Sequence, residues 1–149
     1  MTGEALAILG LAICAGLCGA GSAIGLYFTG SAASGVLAED PKKFSKVLIL
    51  VVLPATQGIY GFVFGILGLS SVKAGLDPLV GAQIFGAAMP LAITGLISGI
   101  AQGKTAVGGI YAIAKNEGLS GKLILFPAMV ETYAILGLVV SILLLQPLI

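Results

Sequence analysis

Glu131 is the residue of this sequence that most clearly needs a chemical explanation. It lies in an apolar run, and no other charged side chain occurs between Lys122 and the C-terminus. An ionised carboxylate at the centre of a bilayer costs about 2.5 to 3.5 kcal/mol or more. Two purely structural explanations compete with a functional one. The acid could be permanently protonated and hydrogen-bonded for packing, or it could form an ion pair with Lys104. Lys104 lies about 200° around a helix from Gln102, so a Gln102 that faces the acid turns Lys104 away from it.

Two further apolar runs each place polar side chains on one helical face. The first face has the spacing i, i+3, i+4 and i+7, in Leu53, Thr56, Gln57 and Tyr60. The second face has a similar stripe, in Thr94, Ser98, Gln102 and Thr105. Such residues often serve as hydrogen-bonding glue between membrane helices, and that interpretation stays open at this point.

Depth in the membrane connects the two amides with the acid. At a rise of about 1.5 Å per residue, Glu131 lies roughly 13 Å beyond Lys122, and Gln57 roughly 16 Å beyond Lys46. Gln102 lies roughly 20 Å before Lys115. We therefore expect three helices to bring a carboxylate, two amide oxygens and a hydroxyl close together near mid-membrane.

This number of oxygens favours a bound cation. A carboxyl group that carries only a proton needs one acceptor, so Gln57, Gln102 and Thr56 would be surplus, whereas a hard cation takes several oxygen ligands. One carboxylate neutralises a monovalent ion but would leave a divalent ion with a net positive charge in hydrocarbon. Na⁺, or Li⁺, fits this set of groups best.

The elements that position these residues are membrane helices. The chain of 149 residues is 58% hydrophobic and 9% charged, compared with roughly 25% charged residues in soluble domains. Four runs exceed the roughly 20 residues that span hydrocarbon, and they show no period-2 polar face of a membrane barrel. The sequence therefore predicts an all-α membrane protein, with transmembrane helices at about 5–38, 47–72, 78–114 and 123–146. The first run has no basic leader, and we expect it to be retained.

Composition excludes several classes of function. The net charge of +1 leaves no electrostatic footprint for nucleic acid. Histidine is absent, and no nucleophile–base pair or phosphate loop can be assembled, so we expect no catalytic residue. Cys14 and Cys18 share a helix face without further metal ligands nearby, which indicates small packing residues.

The distribution of lysines predicts the topology. Most of them lie in or beside two short polar segments, 39–46 and 115–122, which the positive-inside rule assigns to the cytoplasm. Both termini and the connection around Lys73 and Asp77 then face the opposite side. The chain divides into two helical hairpins, 1–74 and 75–149.

The two hairpins resemble each other, which indicates an internal duplication. AIGLYFTG matches AQGKTAVG, and LPATQGIYG matches FPAMVETYA. Aligning Pro54 with Pro127 places Gly58 opposite Glu131, so only one half has the acid. The chain has 23 glycines, several of them four residues apart in the first and third runs, a spacing that allows close approach of helices. This pattern favours a crowded inner ring of many copies over packing within one monomer.

These motifs identify a family. LPATQGIYG, AQGK and FPAMVETYAILG, together with the repeat, the glycine pattern and the lysine loops, resemble the duplicated four-helix proteolipid of bacterial V-type (A/V-type) ATPases. This proteolipid is the K or c component of the rotor ring, and the resemblance is to its sodium-translocating members. It covers essentially the whole chain.

The resemblance implies roles for individual residues. Glu131 would carry the ion, Thr56, Gln57 and Gln102 would supply side-chain oxygens, and Leu53 a backbone carbonyl, which spacing alone could not identify. Tyr60 would hydrogen-bond Glu131 and hold the site closed. Pro54 lies next to Leu53, and the bend that proline introduces makes a backbone ligand plausible.

The resemblance also implies an assembly in the plasma membrane. About ten copies would form a closed homo-oligomeric ring, with the first and third helices inside. A central-stalk subunit would bind the cytoplasmic loops, and ATP hydrolysis in a soluble head would turn the ring. Each Glu131 would then pass an arginine of the stator's membrane subunit, which displaces the ion.

Three other functions compete with this one. A proton-carrying rotor of the same family is the nearest, and fewer oxygen-bearing residues around the acid would have favoured it. A small four-helix exporter of hydrophobic cations needs aromatic walls, and the absence of tryptophan argues against it. A purely structural or channel-forming protein would leave Glu131 unexplained.

Overall fold

The protein consists of four long helical stretches. A computed structural model describes residues 1–148, and all regular structure within them is helical. The four stretches long and apolar enough to cross a membrane are Gly3–Glu39, Pro41–Leu69, Pro78–Lys115 and Glu117–Leu148. They are referred to here as the first to fourth spans. The prediction of an all-α protein with four membrane helices is confirmed.

The first and third spans are unbroken α-helices of 37 and 38 residues. At 1.5 Å per residue each is about 55 Å long, so both extend well beyond a hydrocarbon core of about 30 Å. Pro90 lies inside the third span without ending it. These two helices form the frame against which the rest of the chain packs.

The second and fourth spans are assembled from shorter pieces. The second comprises a 3₁₀ turn, an α-helix, a second 3₁₀ turn and a second α-helix: Pro41–Lys43, Phe44–Val52, Leu53–Ala55 and Thr56–Leu69. The fourth comprises Glu117–Leu119 (3₁₀), Ser120–Leu123 (α), Leu125–Leu145 (α) and Gln146–Leu148 (3₁₀). The break in the middle of the second span coincides with Pro54, which has no N–H to continue an α-helical ladder.

Glycines allow the first and third spans to touch along their backbones. A methyl group added to Gly21 would lie 2.7 Å from the carbonyl oxygen of Gly95, and one added to Gly99 would lie 2.7 Å from the carbonyl carbon of Gly21. Both distances are too short for real carbon–oxygen or carbon–carbon contacts. The helix pair therefore depends on the absence of side chains at these positions. These contacts lie within one chain, so packing within the monomer, the alternative to ring packing in the sequence analysis, accounts for these glycines.

The two polar loops at one end of the bundle are built alike. Asp40 ends the first span and accepts a hydrogen bond from the N–H of Lys42 at 3.0 Å, and Asn116 ends the third span and accepts from the N–H of Gly118 at 3.0 Å. A 3₁₀ turn follows each of them. Only the first loop reaches across to the other hairpin: Lys43 Nζ donates to the Ala114 carbonyl at 2.7 Å.

Two apolar clusters divide the core. One contains Cys14, Phe64, Leu91 and their neighbours, and the other contains Leu50, Ala106, Ile110 and their neighbours. Along the second span Gln57 lies between Leu50 and Phe64, and along the third span Gln102 lies between Leu91 and Ala106. A polar layer is thus enclosed between two apolar layers, near the middle of the bundle.

Candidate ion-binding site

Glu131 is the acidic centre of this polar layer. The fourth span places it half-buried, beside residues of the second and third spans. Tyr60 of the second span donates its O–H to Glu131 Oε1 at 2.6 Å. Gln102 of the third span donates Nε2–H to Glu131 Oε2 at 3.3 Å. Each carboxylate oxygen of Glu131 therefore has a hydrogen-bond donor from a different helix.

The two amides predicted to approach Glu131 bind each other. Gln57 and Gln102 are both fully buried. Gln57 Nε2 donates to Gln102 Oε1 at 2.7 Å. Gln102 Nε2 in turn donates to the carbonyl oxygen of Pro127 at 3.2 Å as well as to Glu131. The amide of Gln102 therefore connects three of the four spans.

The 3₁₀ turn at Leu53–Ala55 completes the layer. In this turn both the N–H and the hydroxyl of Thr56 approach the carbonyl oxygen of Leu53, the hydroxyl at 3.2 Å. The same hydroxyl lies 3.4 Å from Gln57 Oε1. Pro54 removes the donor for the carbonyl of Leu50, four residues back, and Leu53 lies on the tightened turn that results. The Thr56 hydroxyl therefore connects the carbonyl oxygen of Leu53 with the amide oxygen of Gln57.

All six residues singled out in the sequence therefore belong to one hydrogen-bonded network. These residues are Leu53, Thr56, Gln57, Tyr60, Gln102 and Glu131. The network has a single formal negative charge and several neutral oxygens, from two carboxamides, a hydroxyl and a main-chain carbonyl. Such a set of oxygens could hold a hard monovalent cation. Among residues 1–148, no cluster of three or more His, Cys, Asp or Glu side chains offers another metal site.

The remaining polar residues of the third span do not join the network. Thr94 donates to the carbonyl of Pro90 at 2.8 Å, and Thr105 donates to the carbonyl of Ala101 at 2.9 Å. These are the local bonds that helical threonines usually make. Ser98 is buried, and its hydroxyl has no hydrogen-bond partner within the described part of the chain. Of this stripe, only Gln102 reaches the acid.

Lys104 lies on the opposite side of the third span from Gln102. Its side chain is exposed, with Nζ 5.6 Å from the centre of the Phe28 ring, a cation–π arrangement. The one ion pair found in residues 1–148 joins Lys43 and Asp40. The structure thus rejects an ion pair between Lys104 and Glu131 and agrees with the helical geometry of the sequence.

The equivalent position in the first hairpin is occupied differently. Gly58 stands where the second hairpin has Glu131, and its N–H donates to the Ser22 hydroxyl at 2.8 Å. In the same alignment Ile24 stands where the second hairpin has Gln102. Ile24 is 40% exposed. The first hairpin therefore lacks both the acid and its nearest amide.

Sequence reasoning missed one contributor to the site and one contact at the equivalent position of the first hairpin. The carbonyl of Pro127 anchors Gln102, and the hydroxyl of Ser22 caps the N–H of Gly58. A main-chain acceptor leaves no signature in residue type. Ser22 could have been suspected, because it is a polar residue one position from Gly21 on a glycine-lined helix.

Comparisons with known proteins identify the relatives of this chain. A family profile for the C subunit of ATP synthase matches residues 3–68 and 85–144. The chain is 46% identical over 142 residues to V-type sodium ATPase subunit K of Enterococcus hirae, which covers 95% of this chain and 91% of that protein. It is 40% identical over 140 residues to A-type ATP synthase subunit K of Methanocaldococcus jannaschii, covering 94% of this chain and 61% of that one.

A eukaryotic relative is more distant. The c'' component of the V-type proton ATPase of Saccharomyces cerevisiae is 28% identical over 143 residues, which cover 91% of this chain and 67% of the yeast protein. The named relatives thus include both a sodium ATPase subunit and a proton ATPase subunit. These similarities confirm the resemblance inferred from the motifs, and with the four spans they identify a multi-pass membrane protein.

Proposed function

The chain belongs to the family of the ATP synthase C subunit, and from this premise we propose that it carries Na⁺ across the membrane at Glu131. As a member of this family it is a ring-forming rotor subunit that works together with other subunits of a rotary ATPase. The coupling ion, the ligands and the orientation in the membrane are parts of the proposal.

One observation carries the proposal: Glu131 shares a single hydrogen-bonded network with two fully buried carboxamides. A proton-carrying acid needs one acceptor, and this layer has many more oxygens than that. Buried amides that are not needed for packing are costly in a membrane, because each unsatisfied group loses its hydrogen bonds to water. A cation that takes its ligands from these oxygens explains why they are present.

The proposed ligands are the carboxylate of Glu131, the amide oxygens of Gln57 and Gln102, the hydroxyl of Thr56 and the carbonyl of Leu53. Tyr60 is not a ligand in this proposal. Its O–H donates to Glu131 Oε1 at 2.6 Å and so orients the carboxylate. With one negative charge in the site, a bound Na⁺ produces a neutral unit. Neutrality is what allows the loaded site to face lipid during rotation.

At one position of the rotation, the bound Na⁺ has to leave Glu131, and the carboxylate then needs another positive partner. Glu131 is half-buried, and therefore its carboxylate is within reach of a group that approaches the outer face of the fourth span. An arginine of the stator's membrane subunit fits this role, because it forms strong charge-assisted bonds with carboxylates. The arginine displaces Na⁺ into an exit path, and ATP hydrolysis in the soluble partner subunits supplies the energy.

The proposal includes an orientation in the plasma membrane. Segments 39–46 and 115–122 are cytoplasmic and bind a central-stalk subunit, and both termini are extracytoplasmic. The repeated Asx turns at Asp40 and Asn116 support a common role for the two loops. The hairpins 1–74 and 75–149 are the repeating units, and about ten copies of the chain close the ring.

A proton-carrying rotor is the second candidate, and the hydrogen bond from Tyr60 to Glu131 is the observation that favours it. A protonated Glu131 could keep a partner in Tyr60, and a proton ATPase subunit is among the relatives. This candidate leaves the Gln57–Gln102 pair without a function other than helix association.

Protection from chemical labelling distinguishes the two candidates. A carbodiimide should label Glu131 of the intact ring in native membranes, and Na⁺ but not K⁺ should slow this labelling at constant pH. Glu39 and Glu117, which lie at the loops, serve as controls within the same chain, and their labelling should not respond to Na⁺. Labelling of Glu131 that follows pH alone would contradict the sodium proposal and support the proton one.

A further inference from the structure

An apolar groove lies between the first and second spans. Its volume is about 230 Å³, and the residues that line it, among them Ala15 and Gly65, are all apolar. We propose that this groove receives the fourth span of the next copy in the ring, with Val140 of one copy in contact with Gly65 of the next. The inference rests on the ring of the proposed function but not on the ion that the ring carries.

The matching place in the second hairpin is filled by side chains of the same chain. In the alignment of the repeats, Leu138 stands where the first hairpin has Gly65. Likewise, Ile93 stands where it has Ala15. Leu138 packs against the apolar cluster that contains Phe64 of the second span. The second span thus covers the second hairpin at this place, whereas the first hairpin has a groove there.

Gly65 has room for a side chain within its own chain. A methyl group there would lie 3.9 Å from Cβ of Ala15, which is an ordinary van der Waals distance. At Gly61, one turn earlier, a methyl group would lie 2.5 Å from Cβ of Cys18, which is far too close. Packing within the chain therefore explains Gly61 but not Gly65, whose missing side chain leaves space for a group from outside.

The hydrogen bond between Tyr60 and Glu131 shows how the second helix of one hairpin meets that of the next. Tyr133 is the counterpart of Tyr60 in the repeat, and Gly58 is the counterpart of the acid. A closed ring sets every copy at the same height, and hairpins that follow one another around it then repeat this pairing. Tyr133 of one copy lies against Gly58 of the next.

The same register brings Val140 to the groove. Consecutive spans cross the membrane in opposite directions, so the second and fourth spans are parallel. A step of seven residues is about two helical turns, and it leads from Tyr133 to Val140 in one copy and from Gly58 to Gly65 in the next. In both pairs a large side chain lies against a glycine, which allows the helices to approach closely.

The side of the fourth span that has Tyr133 is exposed. Its side chains recur every three or four residues and are 46–66% exposed: Phe126, Met129, Tyr133, Leu136, Val140 and Leu143. Tyr133 lies two residues from Glu131, near mid-membrane, whereas tyrosines concentrate at the membrane interfaces. A second copy therefore covers this side better than lipid does.

Disulfide cross-linking of the ring in native membranes tests this register. Gly65→Cys and Val140→Cys are combined in a Cys14→Ala/Cys18→Ala background, because the two native cysteines are free thiols. A disulfide requires Cα atoms within about 7 Å of each other. Oxidation should therefore join successive copies into a ladder of covalent multimers on a denaturing gel.

Val139 is the matched control. It is 47% exposed, as against 46% for Val140, and it points about 100° away around the same helix. Gly65→Cys with Val139→Cys should give no ladder. Equal ladders from the two pairs, or a Gly65–Val140 disulfide within one chain, would overturn the inference. An intact ring that gives no ladder would also overturn it, and lipid would then fill the groove.

An exchange of size across the contact decides the matter if the cysteine chains do not assemble. Gly65→Leu fills the groove, and its ring should dissociate in a detergent that preserves the wild-type ring, whereas Gly65→Ala should retain the ring. Val140→Ala should restore the Gly65→Leu ring, and Val139→Ala should not. A Gly65→Leu ring as stable as the wild type, or any other pattern of rescue, would contradict the contact.

The proposed ion site is measured separately in the same rings, as protection of Glu131 from carbodiimide by Na⁺. A ladder without this protection leaves the contact between copies standing and removes the sodium function. Protection without a ladder does the reverse. If a native gel shows that the wild-type chain forms no ring, the ring of the proposed function fails, and the inference fails with it.

Discussion

The first and second hairpins use the same helical frame for different purposes. In both hairpins an Asx turn and a 3₁₀ turn follow the first helix, and the second helix contains a proline, Pro54 or Pro127. At the matching position the second hairpin has Glu131 in a polar network, whereas the first has Gly58 against the hydroxyl of Ser22. The same helical frame can therefore hold an acidic network at this position or a purely structural contact.

The neighbours of these two positions also differ in polarity. Around Glu131 stand Thr56, Gln57 and Gln102, and the equivalents of these three residues in the other repeat are Met129, Val130 and Ile24. Among residues 1–148, buried carboxamides thus occur only beside the acid.

The largest expected effect comes from removing the charge of Glu131, so that this position is uncharged, as the matching position of the first hairpin is. Glu131→Gln retains the size of the side chain and removes its charge, and we expect the ring to assemble but Na⁺-dependent ATPase activity of the whole complex to be lost. Uncoupled ATP hydrolysis that no longer responds to Na⁺ is compatible with this expectation. Full Na⁺-dependent activity would show that Glu131 does not carry the ion.

Introducing an acid into the first hairpin at Gly58 should lower the stability of the ring and should not create a second ion-binding site. In Gly58→Glu the new Cβ would lie 3.3 Å from Ser22 Oγ, and an ionised carboxylate in this membrane helix would cost about 2.5 to 3.5 kcal/mol. We expect a lower melting temperature of the ring and no additional Na⁺-protected carbodiimide label. Gly58→Ala is the matched control and should destabilise less. A second protected label would mean that an acid alone is sufficient for binding.

A smaller effect is expected when the amides are removed one at a time. Gln57→Ala or Gln102→Ala should weaken the protection of Glu131 by Na⁺ about 10- to 100-fold, as expected for hydrogen-bonding groups that contact an ion, about 1.5 to 3 kcal/mol. The ring should still assemble, which gel filtration or negative-stain images can establish. Loss of assembly with unchanged Na⁺ protection would show that these residues act as glue between helices.

The smallest effect concerns the loops, where the hairpins also differ. Lys43 donates to the Ala114 carbonyl, and the matching residue of the second loop, aligned through Asp40 and Asn116, is Leu119. We expect Lys43→Met to lower the free energy of unfolding by only about 0.2 to 1 kcal/mol, because the bond is partly exposed. Lys42→Met removes the same charge from the same loop and should have no measurable effect. Equal effects of the two variants would assign the change to net charge.

Much of this arrangement could be predicted because membrane helices are regular. Residue spacing placed Thr56, Gln57 and Tyr60 on one face, and the rise per residue placed Gln57, Gln102 and Glu131 at one depth. The direction of each hydrogen bond could not be predicted in this way. Whether Gln57 donates or accepts depends on distances between helices, and these are fixed by backbone contacts such as Gly21 with Gly95.

The local backbone was less predictable than the side chains. Pro54 indicated a distortion, but a 3₁₀ turn limited to Leu53–Ala55 depends on how Thr56 bonds to the carbonyl of Leu53. The anchoring of Gln102 by the Pro127 carbonyl is invisible in residue types, because every residue has such an acceptor. The role of Leu53 as a ligand came from the family resemblance, and it remains a prediction.

The apolar position at Gly58 also has a mechanical meaning. Because only one of the two repeats bears an acid, successive carboxylates around the ring are separated by the width of a whole chain, not of a hairpin. Under the proposed function, the rotor therefore turns through twice the angle between two encounters with the stator that it would need if every hairpin had an acid. Fewer ions would then cross per revolution, and a revolution of a given energy could drive each ion against a steeper gradient.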